Sequence, residues 1–289
     1  MKKILLPTDF SENSWNAIVY ALQLFKNEKC KFYLLNVYTP VIYQTEYLYG
    51  SPALFSGPTE FGVPDPIGET SLQLLKDFKD RINKEFKNTK HSIETISVFN
   101  TLISEIKELV EEKAIDYVVM GTKGATGAKE VLFGSNTVHV FKSIKCTVLA
   151  IPQNFKFETP HEILFPTDYE IEFTEKQLQP LIDITSLYIS RINILNVSYG
   201  YELSETQEKN KKELEKLFEN TAYLFHSVVN ESVPEAISEF QLRARINLLV
   251  MINNKHSFFE NLFFKNTVNQ IGFHLNIPFL LIPAKTKKS

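Results

Sequence analysis

The chain has 289 residues, 44% hydrophobic and 12% aromatic, enough to bury a sizeable core and, at ordinary domain sizes, to make two domains. Its net charge is −3 with a pI near 6.1, and its lysines and arginines are scattered, so the basic footprint of a nucleic-acid binder is missing and no nucleic-acid partner is expected. No apolar run approaches the ~20 residues of a membrane span, and Lys2 and Lys3 precede only Ile4, Leu5 and Leu6 before Pro7, so neither a membrane partner nor a secretory leader is expected.

Residues 2–9, KKILLPTD, read as a buried strand ended by Pro7 and Asp9. Residues 11–28 read as a helix with Ser11 or Asp9 near its N-cap. Trp15, Ile18, Leu22 and Phe25 share one face of it, a spacing that makes Trp15 a core residue rather than a platform for a base. CKFYLLNV, 30–37, is the second strand, and a right-handed βαβ crossover places both strand ends on one edge. Cys30, like Cys146 later, lies in apolar surroundings; two such residues suit reduced core thiols and a cytoplasmic protein better than a disulfide framework. Residues 38–68 concentrate proline, glycine and tyrosine and read as a long loop, which either covers the functional edge or serves as an interaction arm.

Helix 69–87, strand 92–98 and helix 102–113 follow, the last with Ile103, Ile106, Leu109 and Val110 at helical spacing. Strand 117–121, helix 134–144 and strand 146–152 complete an alternating α/β pattern, which predicts a doubly wound parallel sheet. His139, inside an apolar helix, reads as core. The six histidines show no metal-ligand spacing, and neither a nucleophile elbow nor a Walker motif is present, so no catalytic residue and no metal site are assigned.

The chemistry concentrates between the fourth strand and the next helix. Gly121 and Gly124 are separated by two residues, and nine more lead to Gly134 and Ser135. Glycines at 121 and 124 would take positive φ and let backbone amides approach an anion. Gly134 and Ser135 would open a helix whose first N–H groups are unpaired at the positive end of its dipole, a place for a phosphate.

Gly-x-x-Gly-(nine)-Gly-Ser after a Val-Val-Met strand resembles the ATP-binding signature of the universal stress protein family, and ILLPTDFSENSWNA resembles that family's opening strand and turn. The resemblance implies an adenine nucleotide alpha hydrolase-like fold with strand order 3-2-1-4-5. It also implies that Asp9, with Thr8 in the same turn, meets the adenosine and that Val37 lines the adenine pocket. Met120 and Gly121 would flank the ribose, while Gly124, Gly134, Ser135 and Asn136 surround phosphates neutralised by Lys123. A Mg²⁺ ion could bridge phosphate oxygens, although nothing in the sequence demands one.

The pattern then restarts. ILFPTDYE at 163–170 repeats ILLPTDFS at 4–11, INILNV at 192–197 repeats FYLLNV at 32–37, NIPFLLIP at 276–283 repeats KCTVLAIP at 145–152, and ENLFFKNTV at 260–268 repeats EVLFGSNTV at 130–138. The expected layout is a domain at 1–152, a polar linker at 153–160 and a second domain at 161–284. In the second copy Ile252 and Lys255 stand at the places of Gly121 and Gly124, and Phe264 and Lys265 at those of Gly134 and Ser135, so it reads as a degenerate copy without a phosphate cradle. Family members pair through their last strands; the resemblance implies that 146–151 meets 278–283 inside one chain as a pseudo-dimer, which could itself form a homodimer. Three functions stay open: a nucleotide-dependent stress regulator, a structural interaction module with a vestigial loop, and a slow ATPase.

Overall fold

In the computed structural model, which describes residues 1–38, 65–122, 133–198, 200–229, 231–253 and 276–284, strands and helices alternate from the first residues. They run β1 (Lys2–Pro7), α1 (Glu12–Leu24), β2 (Cys30–Tyr38), α2 (Pro66–Phe86), β3 (His91–Phe99), α3 (Leu102–Glu112), β4 (Tyr117–Gly121), α4 (Ser135–Ser143) and β5 (Thr147–Ile151). The second half repeats the alternation: β6 (Glu162–Pro166), α5 (Glu175–Tyr188), β7 (Arg191–Ser198), α6 (Glu205–Leu217), β8 (Ala222–Val229), α7 (Val233–Ala244), β9 (Leu248–Asn253) and β10 (Phe279–Pro283).

All ten strands form one sheet in the order β3-β2-β1-β4-β5-β10-β9-β6-β7-β8. Each half therefore has strand order 3-2-1-4-5 counted in its own sequence. Neighbours are parallel within each half, and the halves meet where β5 and β10 pair antiparallel, with Leu280 opposite Leu149. The expected pair of five-stranded sheets is thus one continuous sheet, and this pairing covers two edges that would otherwise be open.

Strands buried on both faces need near-continuous apolar runs, and β1 from Ile4, β4, and β5 from Val148 have them. On one face Ile4, Leu6, Phe32 and Leu149 pack under α1, α2, α5 and α6, which contribute Trp15, Leu75, Leu181 and Leu214. On the other, Leu5, Leu35, Val118 and Val148 pack under α3, α4 and α7 through Ile106, Phe141 and Ile237. Helix boundaries follow local chemistry: Ser11, Thr101, Ser204 and Ser232 each accept a backbone N–H at an N-cap.

Three expectations need correction. The helix expected from 69 begins at Pro66, because the Asp65 carboxylate caps it by accepting the Gly68 N–H and proline suits a first helical position. The stretch 153–160 is more than a polar linker: Phe157 packs on Tyr20 and Tyr188 at ring distances of 5.1 and 6.5 Å, and the Asn16 amide donates to the Phe155 carbonyl. His139 is exposed on α4, whose buried stripe passes through Thr137, Val140 and Phe141 instead. Trp15 is core as expected, edge-on to Phe78 at 5.2 Å with the Arg81 guanidinium stacked 3.7 Å from its ring centroid. Both thiols are buried and reduced; burial pushes Cys30 up to about 11 and Cys146 up to about 12.

Candidate functional site

The carboxyl ends of β1, β2 and β4 lie on one edge of the sheet, where open α/β folds bind ligands. This edge gathers Thr8 and Asp9 after β1, Val37 near the end of β2, Met120 and Gly121 at the end of β4, and Gly134, Ser135 and Asn136 at the start of α4. Lys123 and Gly124 lie outside the described residues, as do most of the 38–68 loop and the second-half positions Lys255, Phe264 and Lys265.

The turn after β1 is held from within. Thr8 Oγ1 accepts the Phe10 N–H at 3.0 Å and lies 2.9 Å from Ser14 Oγ, and Phe10 sits in the left-handed region at φ 62°. Asp9 is exposed, and its Oδ1 accepts from both the N–H and the hydroxyl of Ser11, the α1 cap. The Asn36 side-chain amide donates to the Thr8 carbonyl at 2.8 Å, while its oxygen accepts the Ser71 hydroxyl, which lies 2.7 Å from Ser97 Oγ. β1, β2, α2 and β3 are so joined behind Val37. One residue on, the Tyr38 hydroxyl donates to Asp65 at 2.6 Å; burial, then the Asp65 bond, pushes the phenol up to about 12.

Gly121 departs from expectation. It closes β4 with extended backbone, and among the described glycines only Gly200 takes a positive φ. Its missing side chain serves a neighbour instead: a Cβ there would lie 2.4 Å from Asn13 Nδ2 and 2.7 Å from Asn13 Cγ. Asn13 of α1, 3% exposed, was not singled out in the sequence, because an asparagine early in a helix carries no signal until the glycine it overlies is known.

Beyond β4, the Gly134 N–H donates to the Thr122 carbonyl at 2.7 Å, and the Thr137 hydroxyl donates to the Gly121 carbonyl at 3.1 Å. The start of α4 is thereby fixed against the strand end. Its N-cap, Gly134, has no side chain to cap it, no described side chain does so in its place, its first turn has no acidic residue, and Ser135 and Asn136 are exposed. Leading N–H groups at the positive end of a helix dipole are chemically suited to an anion. The donor set fits a phosphate: amides and a hydroxyl, with no acid in that turn to repel it.

The model of the universal stress protein family matches residues 1–152. The chain belongs to this family. It is similar to universal stress protein MJ0577 of Methanocaldococcus jannaschii, with 30% identity over 158 residues, 52% of this chain and 94% of that protein. It is also similar to universal stress protein YxiE of Bacillus subtilis, with 25% identity over 151 residues, 52% of this chain and 97% of that one. Across both halves the fold matches the crystal structure of a universal stress protein from Archaeoglobus fulgidus, with a TM-score of 0.67 at 18% identity, covering 99% of this chain and 97% of that one.

The second half of this universal stress protein has a different edge. Ile252, 6% exposed, pairs with Ile282 as Gly121 pairs with Ile151, so a buried isoleucine stands in the register position of the glycine. A cleft of about 520 Å³ opens farther along this half, over β7, β8 and α6, lined by Tyr169, Asn196, Tyr201, Lys211 and Phe225 among others.

Proposed function

We propose that residues 1–152 form a domain that binds ATP at this edge and that the protein acts as a nucleotide-dependent regulator of the stress response. The observation that carries the reading is the acid-free first turn of α4, opened by a glycine with no capping side chain among the described residues and pinned against the end of β4 with Ser135 and Asn136 exposed. An anion suits that turn, and ATP carries the anion on an adenosine that can reach Asp9 and Val37 along the same edge. In this reading Met120 and Gly121 flank the ribose, Gly124, Gly134, Ser135 and Asn136 hold the phosphates, and Lys123 balances their charge. Mg²⁺ would share the phosphate oxygens.

Residues 161–284 are proposed as a degenerate copy beyond the 153–160 segment, with Ile252 filling the place of Gly121. In this reading the two domains form an intramolecular pseudo-dimer, supported by the β5–β10 ladder, with a homodimer as a second level of assembly. We place the protein in the cytoplasm and assign it binding rather than turnover.

The test is calorimetric titration of nucleotide-free protein with ATP, with and without Mg²⁺, beside Gly134→Phe, which copies Phe264 into the first half. One site, lost in the variant, is the expected result. Two sites would mean that the second half also binds. No binding by the wild type, with no nucleotide retained on purification, favours the interaction module. Phosphate release that disappears in Ser135→Ala would identify a slow ATPase.

A further inference from the structure

The helix that carries the proposed phosphate site is held from the other half of the chain. Phe133 directly precedes the Gly134 cap and is buried, as is Phe141 near the C-terminal end of α4. The two rings meet edge-on with centroids 5.0 Å apart. Against both lies Phe279, the first residue of β10, at 5.8 Å from Phe133 and 5.4 Å from Phe141. Phe279 is itself fixed, fully buried and laddered to Ala150 of β5 on one side and Leu249 of β9 on the other.

A polar contact completes the hold. The Asn253 side-chain amide, at the end of β9, donates to the Phe141 carbonyl at 2.8 Å. That carbonyl is among the last four of α4, which no later turn of the helix can satisfy. From the first half the helix receives the bonds at its start, Gly134 to Thr122 and Thr137 to Gly121 and Thr122, and it shares a core with α3 and β5. A short helix packed on both halves cannot shift without repacking both.

We infer that Phe279 and Asn253 of the second half are positioning residues for the nucleotide site of the first, setting the placement of the α4 first turn and hence the affinity for the phosphates. The degenerate half then acts as a fixed buttress, and any event that moves β9 or β10 alters nucleotide binding. This rests on the nucleotide-binding reading for its effect on affinity, but not for its effect on α4.

The test uses the full chain with Phe279→Leu, Asn253→Ala and a control, Phe218→Leu, which thins a fully buried ring of the second half that packs on Phe165 and lies in the other core layer from α4. ATP affinity and backbone hydrogen exchange of residues 135–143 are read for each, at temperatures well below every melting transition. The expected result is ATP binding weakened about fivefold or more in Phe279→Leu, in the range of ordinary coupling between sites. Asn253→Ala should weaken it less, exchange across α4 should quicken in both, and Phe218→Leu should change neither. Wild-type affinity and exchange in Phe279→Leu, or equal losses in Phe218→Leu, would overturn the inference. If the wild type binds no ATP, the nucleotide reading fails by itself and exchange alone decides: faster α4 exchange in Phe279→Leu than in Phe218→Leu upholds the buttress, and equal exchange removes it.

Discussion

The turn after β1 runs Thr8–Asp9–Phe10 and the turn after β6 runs Thr167–Asp168–Tyr169, with φ of 62° and 58° at the two aromatic residues. In both, the threonine hydroxyl accepts the N–H two residues on, and an asparagine from the neighbouring strand donates to the threonine carbonyl, Asn36 at 2.8 Å and Asn196 at 3.0 Å. These bonds recur in a half whose strand end holds an isoleucine where the other holds a glycine. They therefore serve the scaffold in both halves. Among the described residues the halves differ at the end of β4 against the end of β9, and there a functional distinction is to be sought.

Copying the second half into the first at that position should give the largest effect. Gly121→Ile would drive a Cβ into the Asn13 amide, whose atoms stand 2.4 and 2.7 Å from where it must go, and the side chain would then overpack a closed site. We expect a loss of about 3 kcal/mol in chemical denaturation, at the upper end of overpacking costs. Adding Asn13→Ala should recover part of it, because the two changes share one space and cannot be additive. An unchanged denaturation midpoint in the single variant would show that Asn13 moves aside freely and that Gly121 is not held by its neighbour.

This case marks how far the sequence could be read. The alternation of strands and helices, the repeat and the opening of α4 after Gly134 were legible, because each rests on local periodicity or on a motif contained within a few residues, whereas the order of strands came only as what the family resemblance implies. The role of Gly121 was not, since it depends on Asn13 from a helix distant in sequence. Nor was the grip of Phe279 and Asn253 on α4, which joins residues more than a hundred positions apart. His139 was misread because Val138, Val140 and Phe141 surround it in sequence, and only the packing shows that it lies on the side of the helix that faces out.

The shared asparagines sharpen the comparison at a smaller scale. Asn36 sits in a closed chain in which its oxygen accepts from Ser71 and Ser71 meets Ser97. Asn196 pairs in register with Ser227 as Asn36 does with Ser97, but it borders the open cleft. Asn36→Ala leaves the buried Thr8 carbonyl and the Ser71 hydroxyl short of partners and should cost about 2 kcal/mol, whereas Asn196→Ala takes a partner from the Thr167 carbonyl and should cost about 1 kcal/mol. Equal losses in denaturant titrations would mean that the Ser71 bond adds nothing to the hold of Asn36.

The smallest effect belongs to the two edges of the sheet, β3 and β8, each of which carries a histidine held neutral. Burial is the main cause at both, and it lowers each below the ordinary value of 6.5. His91 Nε2 lies 3.0 Å from the Phe25 carbonyl, to which it donates, and its buried Nδ1 has no partner among the described residues, so a second proton would create an N–H that none of them accepts. At His226 the Arg191 charge adds to the effect of burial. A base with a lowered native pKa binds fewer protons folded than unfolded, so its contribution to stability is complete above 6.5 and is lost as the pH falls through the native value. Stability should therefore decline gently from pH 7 towards pH 5, by less than either asparagine substitution costs. His91→Gln should flatten that slope more than His226→Gln, because, of these two, it is His91 whose ring nitrogen is buried without an acceptor among the described residues. A slope that survives both substitutions intact would move the proton uptake to other groups and leave the edges without a part in it.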